Sequence, residues 1–116
     1  MGIAQAGGTC FFDDSVVEVK QSVAAGSVML FNILAYNSGA AVSYLQFFDA
    51  LAANVTVGTT VPKFSIPLPI TGGYDAELQL PEGFRTGIVI ACTATATGAG
   101  APGAGALVKL TYAGGS

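Results

Sequence analysis

Charge is scarce in this chain. Eleven of its 116 residues carry a formal charge, four basic and seven acidic, while 52% are hydrophobic. An average soluble domain is about 25% charged. A surface with so few charges has to be covered by Ser, Thr, Asn, Gly and apolar atoms, and large exposed apolar patches usually mark contact surfaces. The composition therefore points to a protein packed against copies of itself or a larger assembly. Four scattered cations and a net charge of −3 make no footprint for nucleic acid or anionic lipid. Histidine is absent, which removes the usual general base near neutral pH and the commonest metal ligand. Cysteine is limited to Cys10 and Cys92. They share no C-x-x-C spacing, so two reduced thiols are expected and no zinc site.

Long apolar runs are missing too. Residues 21–48 and 86–108 lack charge, but a spanning helix needs about 20 mostly apolar residues. The first stretch is broken by Asn32, Asn37-Ser38-Gly39, Ser43 and Gln46, and the second by Gly98, Gly100, Pro102, Gly103 and Gly105. Neither reads as a membrane span. The opening Met1-Gly-Ile-Ala-Gln-Ala-Gly-Gly has neither a basic nor an apolar region of a secretion signal, so none is expected.

What is present alternates with period two. Residues 15–21, with Val17 and Val19 against Glu18 and Lys20, predict a half-buried strand closed by a turn at Ala24–Ser27. Residues 28–36 and 41–49 predict two strands apolar on both registers, joined through Asn37-Ser38-Gly39 as a hairpin. Residues 63–70 set Phe64, Ile66, Leu68 and Ile70 against Lys63, Ser65, Pro67 and Pro69. Both prolines remove a donor on the same side, so this segment is an edge strand or extended arm. Residues 75–80 place Ala76, Leu78 and Leu80 inward and Asp75, Glu77 and Gln79 outward, with a turn at Pro81-Glu82-Gly83. Residues 87–97 and 106–112 complete the set. The expectation is all-β: a single antiparallel β-sandwich, jelly-roll-like or Ig-like, of about seven or eight strands. Residues 15–116 form the domain, and residues 1–14 a flexible N-terminal arm or edge segment.

Chemistry-bearing motifs are weak. Gly98-Ala-Gly-Ala-Pro-Gly103 matches the letters of a dinucleotide-binding loop, but Pro102 and a strand follow where a helix is required, so it reads as a hairpin loop. Asp13-Asp14 and the pair Asp75 and Glu77 lack a glycine-punctuated ligand loop and read as solvated charge. Asn54-Val55-Thr56 is a chance sequon in the absence of secretion. No Ser or Cys has a His partner, so no enzyme, cofactor or metal is expected. The informative set is aromatic. Two neighbouring strands apolar on both faces need a second cover, supplied by a partner subunit or by a folded-over loop or arm. The candidate interface residues are Phe12, Phe31, Tyr44, Phe47 and Phe48, with Pro67 and Pro69 on the edge that refuses pairing. On the partner reading, Phe48→Ser or Tyr44→Ser dissociates an oligomer and leaves the protomer folded.

The order Tyr44-Leu-Gln-Phe-Phe-Asp49, Val57-Gly-Thr-Thr-Val-Pro62, Ile66-Pro-Leu-Pro69 with Gly72-Gly73, Leu80-Pro-Glu-Gly83 and Gly87-Ile-Val-Ile-Ala91 resembles small β-sandwich proteins encoded among the structural genes of tailed bacteriophages, cyanophages included, over residues 28–112. The resemblance implies a virion component at the capsid surface, assembled in the host cytoplasm. Within that class it suggests a decoration or cement protein that clamps neighbouring capsomers, often as a homotrimer or other homo-oligomer. Its partners would be itself and the major capsid protein, with no nucleic acid and no membrane. The family carries no catalytic residues to transfer. A tail, neck or fibre component, with a receptor- or glycan-binding role, is the alternative. A cell-encoded β-sandwich binding module is a third reading.

Overall fold

The computed structural model describes residues 9–115, with the side chains of residues 75–80 excepted. The readings for an arm over residues 1–8, and for which way the side chains of residues 75–80 point, lie outside the described residues. Eight strands run in chain order: β1 Thr9–Val16, β2 Gln21–Ala25, β3 Val28–Asn37, β4 Ser43–Asp49, β5 Phe64–Leu68, β6 Gly72–Phe84, β7 Gly87–Thr93 and β8 Ala106–Gly114. The one helical turn among the described residues is a 3₁₀ turn at Ala52–Asn54. Sheet A has the order β1-β8-β3-β6 and sheet B the order β2-β7-β4-β5, with every pairing antiparallel.

This all-β sandwich is a jelly roll. An Ig-like sandwich keeps several consecutive strands side by side. Here only β4 and β5 are both consecutive and paired, and every other connection crosses between the sheets, as the paired Greek keys of an eight-stranded jelly roll require.

The expected hairpin of residues 28–49 does not form, because β3 lies in sheet A and β4 in sheet B. A hairpin and a crossover both need turn residues after an apolar strand, so the local pattern cannot separate them. Long-range bonding decides. Asn37 is fully buried, and its Nδ2 donates to the carbonyls of Ala41 at 2.9 Å, Pro69 at 3.2 Å and Leu68 at 3.3 Å, while its Oδ1 accepts from the N–H of Gly39 at 2.9 Å. The side chain thus ties the crossover to the far end of β5.

The double apolar register of β3 has its own explanation. Pairing with β8 slips between Leu30 and Asn32, leaving Phe31 as the extra residue of a β-bulge. Because side chains alternate with period two, one extra residue moves the following set to the other face. Val28, Leu30, Ile33 and Ala35 all point inward, while Met29, Leu34 and Tyr36 are exposed.

Other boundaries move. Residues 17–20 are a bend between β1 and β2, so the expected strand over 15–21 is a crossover, and Thr9–Asp14 of the expected arm or edge segment belong to β1, an edge strand paired with β8. The turn at 24–27 narrows to Gly26 and Ser27, with Gly26 at φ 90°. Pro81-Glu82-Gly83 is no turn: β6 continues through it, and residues 78–81 bulge out opposite Phe31.

The core joins the two inner faces. Leu30, Ile33, Phe84, Val108 and Leu110 from sheet A meet Leu45, Phe47, Leu68, Ile88 and Ile90 from sheet B. Each large apolar side chain contributes about 1.5–3 kcal/mol on burial. Phe64 faces Phe47 across the β4–β5 pair, with centroids 4.6 Å apart, and reaches Phe84 of sheet A at 6.2 Å.

Sheet B is covered on its outer face as well. Phe48, Val89 and Ala91 form a second cluster with Val55, against which Ala50, Ala52 and Val57 pack. All seven residues of β7 are buried. The second cover demanded by the apolar pattern of β4 is therefore the chain's own segment of residues 50–57. Lys20 fastens that segment, its Nζ donating to the Val55 carbonyl at 2.6 Å. Phe48→Ser is thus expected to cost about 3–5 kcal/mol of stability, the range for gutting an aromatic core site, and to leave the oligomeric state of the folded fraction unchanged. Urea unfolding followed by light scattering of the folded variant measures both.

Candidate functional site

The seven sequence candidates do not form one surface. Phe12 is 59% exposed on the outer face of sheet A. Phe31 sits half-buried at the bulge, and Tyr44 is half-buried on β4 beside Pro67. Phe47 and Phe48 are fully buried and present nothing to a partner, which corrects their assignment to an interface. Pro67 and Pro69 are exposed, Pro67 on β5 and Pro69 just beyond its end. The edge position inferred from the prolines stands, since β5 terminates sheet B.

The sequence reading missed Met29, Leu34 and Tyr36, which are 43%, 39% and 42% exposed. Each lies on the outer face of sheet A. The register builds that face row by row. Phe12 stands opposite Lys109, and Lys109 opposite Leu34. Cys10 stands opposite Thr111, and Thr111 opposite Asn32. Leu107 stands opposite Tyr36. Directly opposed side chains lie about 4.5–5.5 Å apart at Cβ, so Phe12, the aliphatic stem of Lys109, Leu34, Tyr36 and Leu107 form a continuous, mostly apolar tract. A dimple of about 140 Å³ between Asn32, Leu34, Lys109 and Thr111 lies within it. The missed signal was the bulge: one slip at Phe31 moves Leu34 and Tyr36 outward.

A larger cavity of about 370 Å³ opens where the edge strands β5 and β6 meet. Ile33, Phe64, Ile66 and Tyr74 line it, with Lys63 and Glu82 at its rim. The Lys63 Nζ lies 3.3 Å from Glu82 Oε2 and 5.6 Å from the centre of the Phe84 ring. This pair joins the two sheets on their open side. A half-exposed pair of this kind contributes about 0–1 kcal/mol. Among the described residues, no three His, Cys, Asp or Glu side chains gather at one point.

Two further acidic groups, Asp49 and Asp13, hold turns. Asp49 Oδ1 accepts from the N–H groups of Thr86 at 2.8 Å and Gly87 at 3.4 Å, and its Oδ2 from that of Arg85 at 3.1 Å. Burial alone would raise its pKa. The three N–H donors, with the Lys63 charge, outweigh burial and hold the carboxyl below its ordinary value. Asp13 is lowered likewise, by the Gln21 amide at 2.6 Å and the Ser15 N–H. Cys10 is an exposed free thiol and Cys92 a buried one, whose pKa is pushed up by burial.

The chain matches no protein-family model, no curated protein and no solved structure.

A carboxylate whose folded-state pKa is depressed adds stability above its unfolded pKa, and that stability is lost as pH falls through the folded value. Unfolding free energy is therefore expected to drop below about pH 4, the ordinary carboxylate range. Asp49→Asn is expected to flatten that drop, and Asp49→Ala to cost about 1–3 kcal/mol at neutral pH through its unpaired N–H groups. Denaturant titrations between acid and neutral pH measure both.

Proposed function

We propose that this chain is a non-enzymatic structural subunit of a tailed-phage particle, a decoration or cement protein seated on the head. The observation that carries the reading is a small jelly roll with one sheet covered by its own loop and, among the described residues, Phe12, Met29, Leu34 and Tyr36 exposed on the outer side of the other. Eight-stranded jelly rolls serve in viral capsids as well as in lectins and cupins, so the architecture suits the reading without being specific to it. The ordered motifs between Tyr44 and Ala91, which resemble phage structural proteins, favour the virion among these settings.

The mechanism is mechanical. Many copies, each burying modest apolar area against neighbours, add stability to a shell under internal pressure. Blunted edges suit that task. Pairing is interrupted on β1 between Asp13 and Val16 and on β2 between Ser22 and Ala24. Pro67 lies in β5, and Pro81 lies in the bulge of β6. Such edges resist open-ended strand addition, leaving association to faces.

One observation favours a second reading, a receptor- or glycan-binding tail or fibre part: the β5–β6 cavity combines the aromatic rings of Phe64 and Tyr74 with Lys63 and Glu82 at its rim. Quantitative mass spectrometry of purified virions separates the two. Hundreds of copies per particle are expected for decoration. A dozen or fewer would shift the assignment to the tail or neck, and absence from the particle would overturn both.

A further inference from the structure

We propose that one water molecule is bound within the covered face of sheet B, bridging Gln46 Oε1 and Ser65 Oγ. This site is independent of the virion reading and goes beyond it.

Four side-chain oxygens are buried without a hydrogen-bond partner among the described residues: Gln21 Oε1, Ser43 Oγ, Gln46 Oε1 and Ser65 Oγ. Buried polar atoms are normally bonded, and an internal water is the usual partner where protein supplies none. Two of the four are neighbours. Gln46 on β4 stands directly opposite Ser65 on β5. Both lie on the outer side of the sheet, since Leu45, Phe47, Phe64 and Ile66 beside them pack into the core. Gln21 and Ser43 stand opposite Ile90 and Leu68, which offer no polar side chain to share a bridge. Residues 75–80 belong to β6 in sheet A, across the core from this face.

The Gln46 amide is oriented by its nitrogen. Nε2 donates to Thr93 Oγ1 at 2.6 Å, to the Gly98 carbonyl at 3.0 Å and to the Thr95 carbonyl at 3.3 Å. The Thr93 hydroxyl gives its own proton to the Thr95 carbonyl at 2.7 Å, so it accepts from Gln46. Turning the amide over would set its oxygen against all three acceptors. Those acceptors belong to β7 and the segment after it, on one side of β4. Oε1 is left for the other side, where Ser65 stands.

The chemistry of the gap selects the occupant. Oε1 only accepts, whereas the serine hydroxyl donates and accepts. A water can donate to the first and exchange either kind of bond with the second. Two oxygens about 2.8 Å from a shared water stand about 4.5 Å apart, which suits directly opposed residues with Cβ atoms about 4.5–5.5 Å apart. A cation would also suit Oε1, but it would enter beside Phe48 and Ala91 of the second apolar cluster, where a buried charge costs far more than a neutral molecule. The bridge completes a hydrogen-bonded chain from the edge strand β5 through Gln46 to the segment after β7.

Oxygen-17 relaxation dispersion of the solvent tests this site, because it counts waters held longer than the protein tumbles and is blind to exchanging hydroxyl protons. Wild type, Ser65→Val and Ser65→Ala are compared as whole chains. Ser65→Val removes one partner and fills the gap with a methyl group, and the amplitude is expected to fall by the equivalent of one water. Ser65→Ala leaves the gap with one partner, and its water is expected to exchange about tenfold faster, the scale of one lost hydrogen bond. Maleimide labelling checks folding, since Cys10 is exposed and Cys92 buried; if Ser65→Val exposes Cys92, Ser65→Ala decides. A crystal structure gives a second readout, with an oxygen expected at hydrogen-bond distance from both atoms. Equal amplitude in wild type and folded Ser65→Val overturns the inference, as does unchanged exchange in Ser65→Ala. So does a crystal structure in which Gln46 Oε1 and Ser65 Oγ bond each other or another protein group, or share an ion.

Discussion

A β-strand with large apolar side chains on both faces must be covered twice, and this requirement organises the molecule. It falls on β4 and β7 at the centre of sheet B. Phe47 and Ile90 face the sandwich core, while Phe48 and Val89 face away from it, and all four are buried. The segment after β4 answers the need by folding back over the sheet from Ala50 to Val57, with Val55 driven into the second cluster. That segment then needs an anchor, and one of the chain's few cations supplies it through the Lys20 contact to the Val55 carbonyl. Two apolar clusters therefore stand where a simple sandwich has one.

The scarce polar and charged groups work as fasteners at places where apolar contact cannot fix direction. Asn37 holds the β3–β4 crossover to the end of β5. Asp49 gathers three N–H groups of the β6–β7 turn. Gln46, fully buried on the outer side of β4, donates to the Thr93 hydroxyl at 2.6 Å and to the Gly98 carbonyl at 3.0 Å, pinning the segment after β7. On the closed side of the sandwich, Gln21 reaches Asp13, and the Tyr112 hydroxyl donates to the Val23 carbonyl at 3.3 Å. Buried polar groups bonded over such distances along the chain favour one arrangement among many of similar hydrophobicity. Lys20, Asp13, Asp49, Lys63 and Glu82 are thus all occupied at joints.

Much of the fold was legible because the period-two signal is strong. Clean alternation over residues 106–112 placed Val108 and Leu110 inward and Lys109 outward, and all three stand so. The prolines of residues 63–70 marked an edge strand. The failures share one physical cause. Register slips, crossovers and covering loops are set by partners far along the chain, and local pattern does not encode them. The bulge at Phe31 made a one-faced strand look two-faced. The turn chemistry after Asn37 suits a hairpin and a crossover equally. The interface candidates split for the same reason: Phe12 remained on a surface, whereas Phe47 and Phe48 were claimed by cores on either side of β4.

The amino-acid sequence by itself determined that this is an antiparallel β-sandwich of short strands, poor in charge and apolar beyond the needs of one core. Those properties follow from composition and alternation, which act locally. Only the tertiary structure decided where the surplus goes. By sending alternate strands to opposite sheets, the jelly roll placed residues 50–57 over sheet B and, among the described residues, left Phe12, Met29, Leu34 and Tyr36 exposed on sheet A. A covering loop and an apolar face compete for the same surface, and which sheet receives the loop depends on connectivity, a long-range property that alternation does not carry.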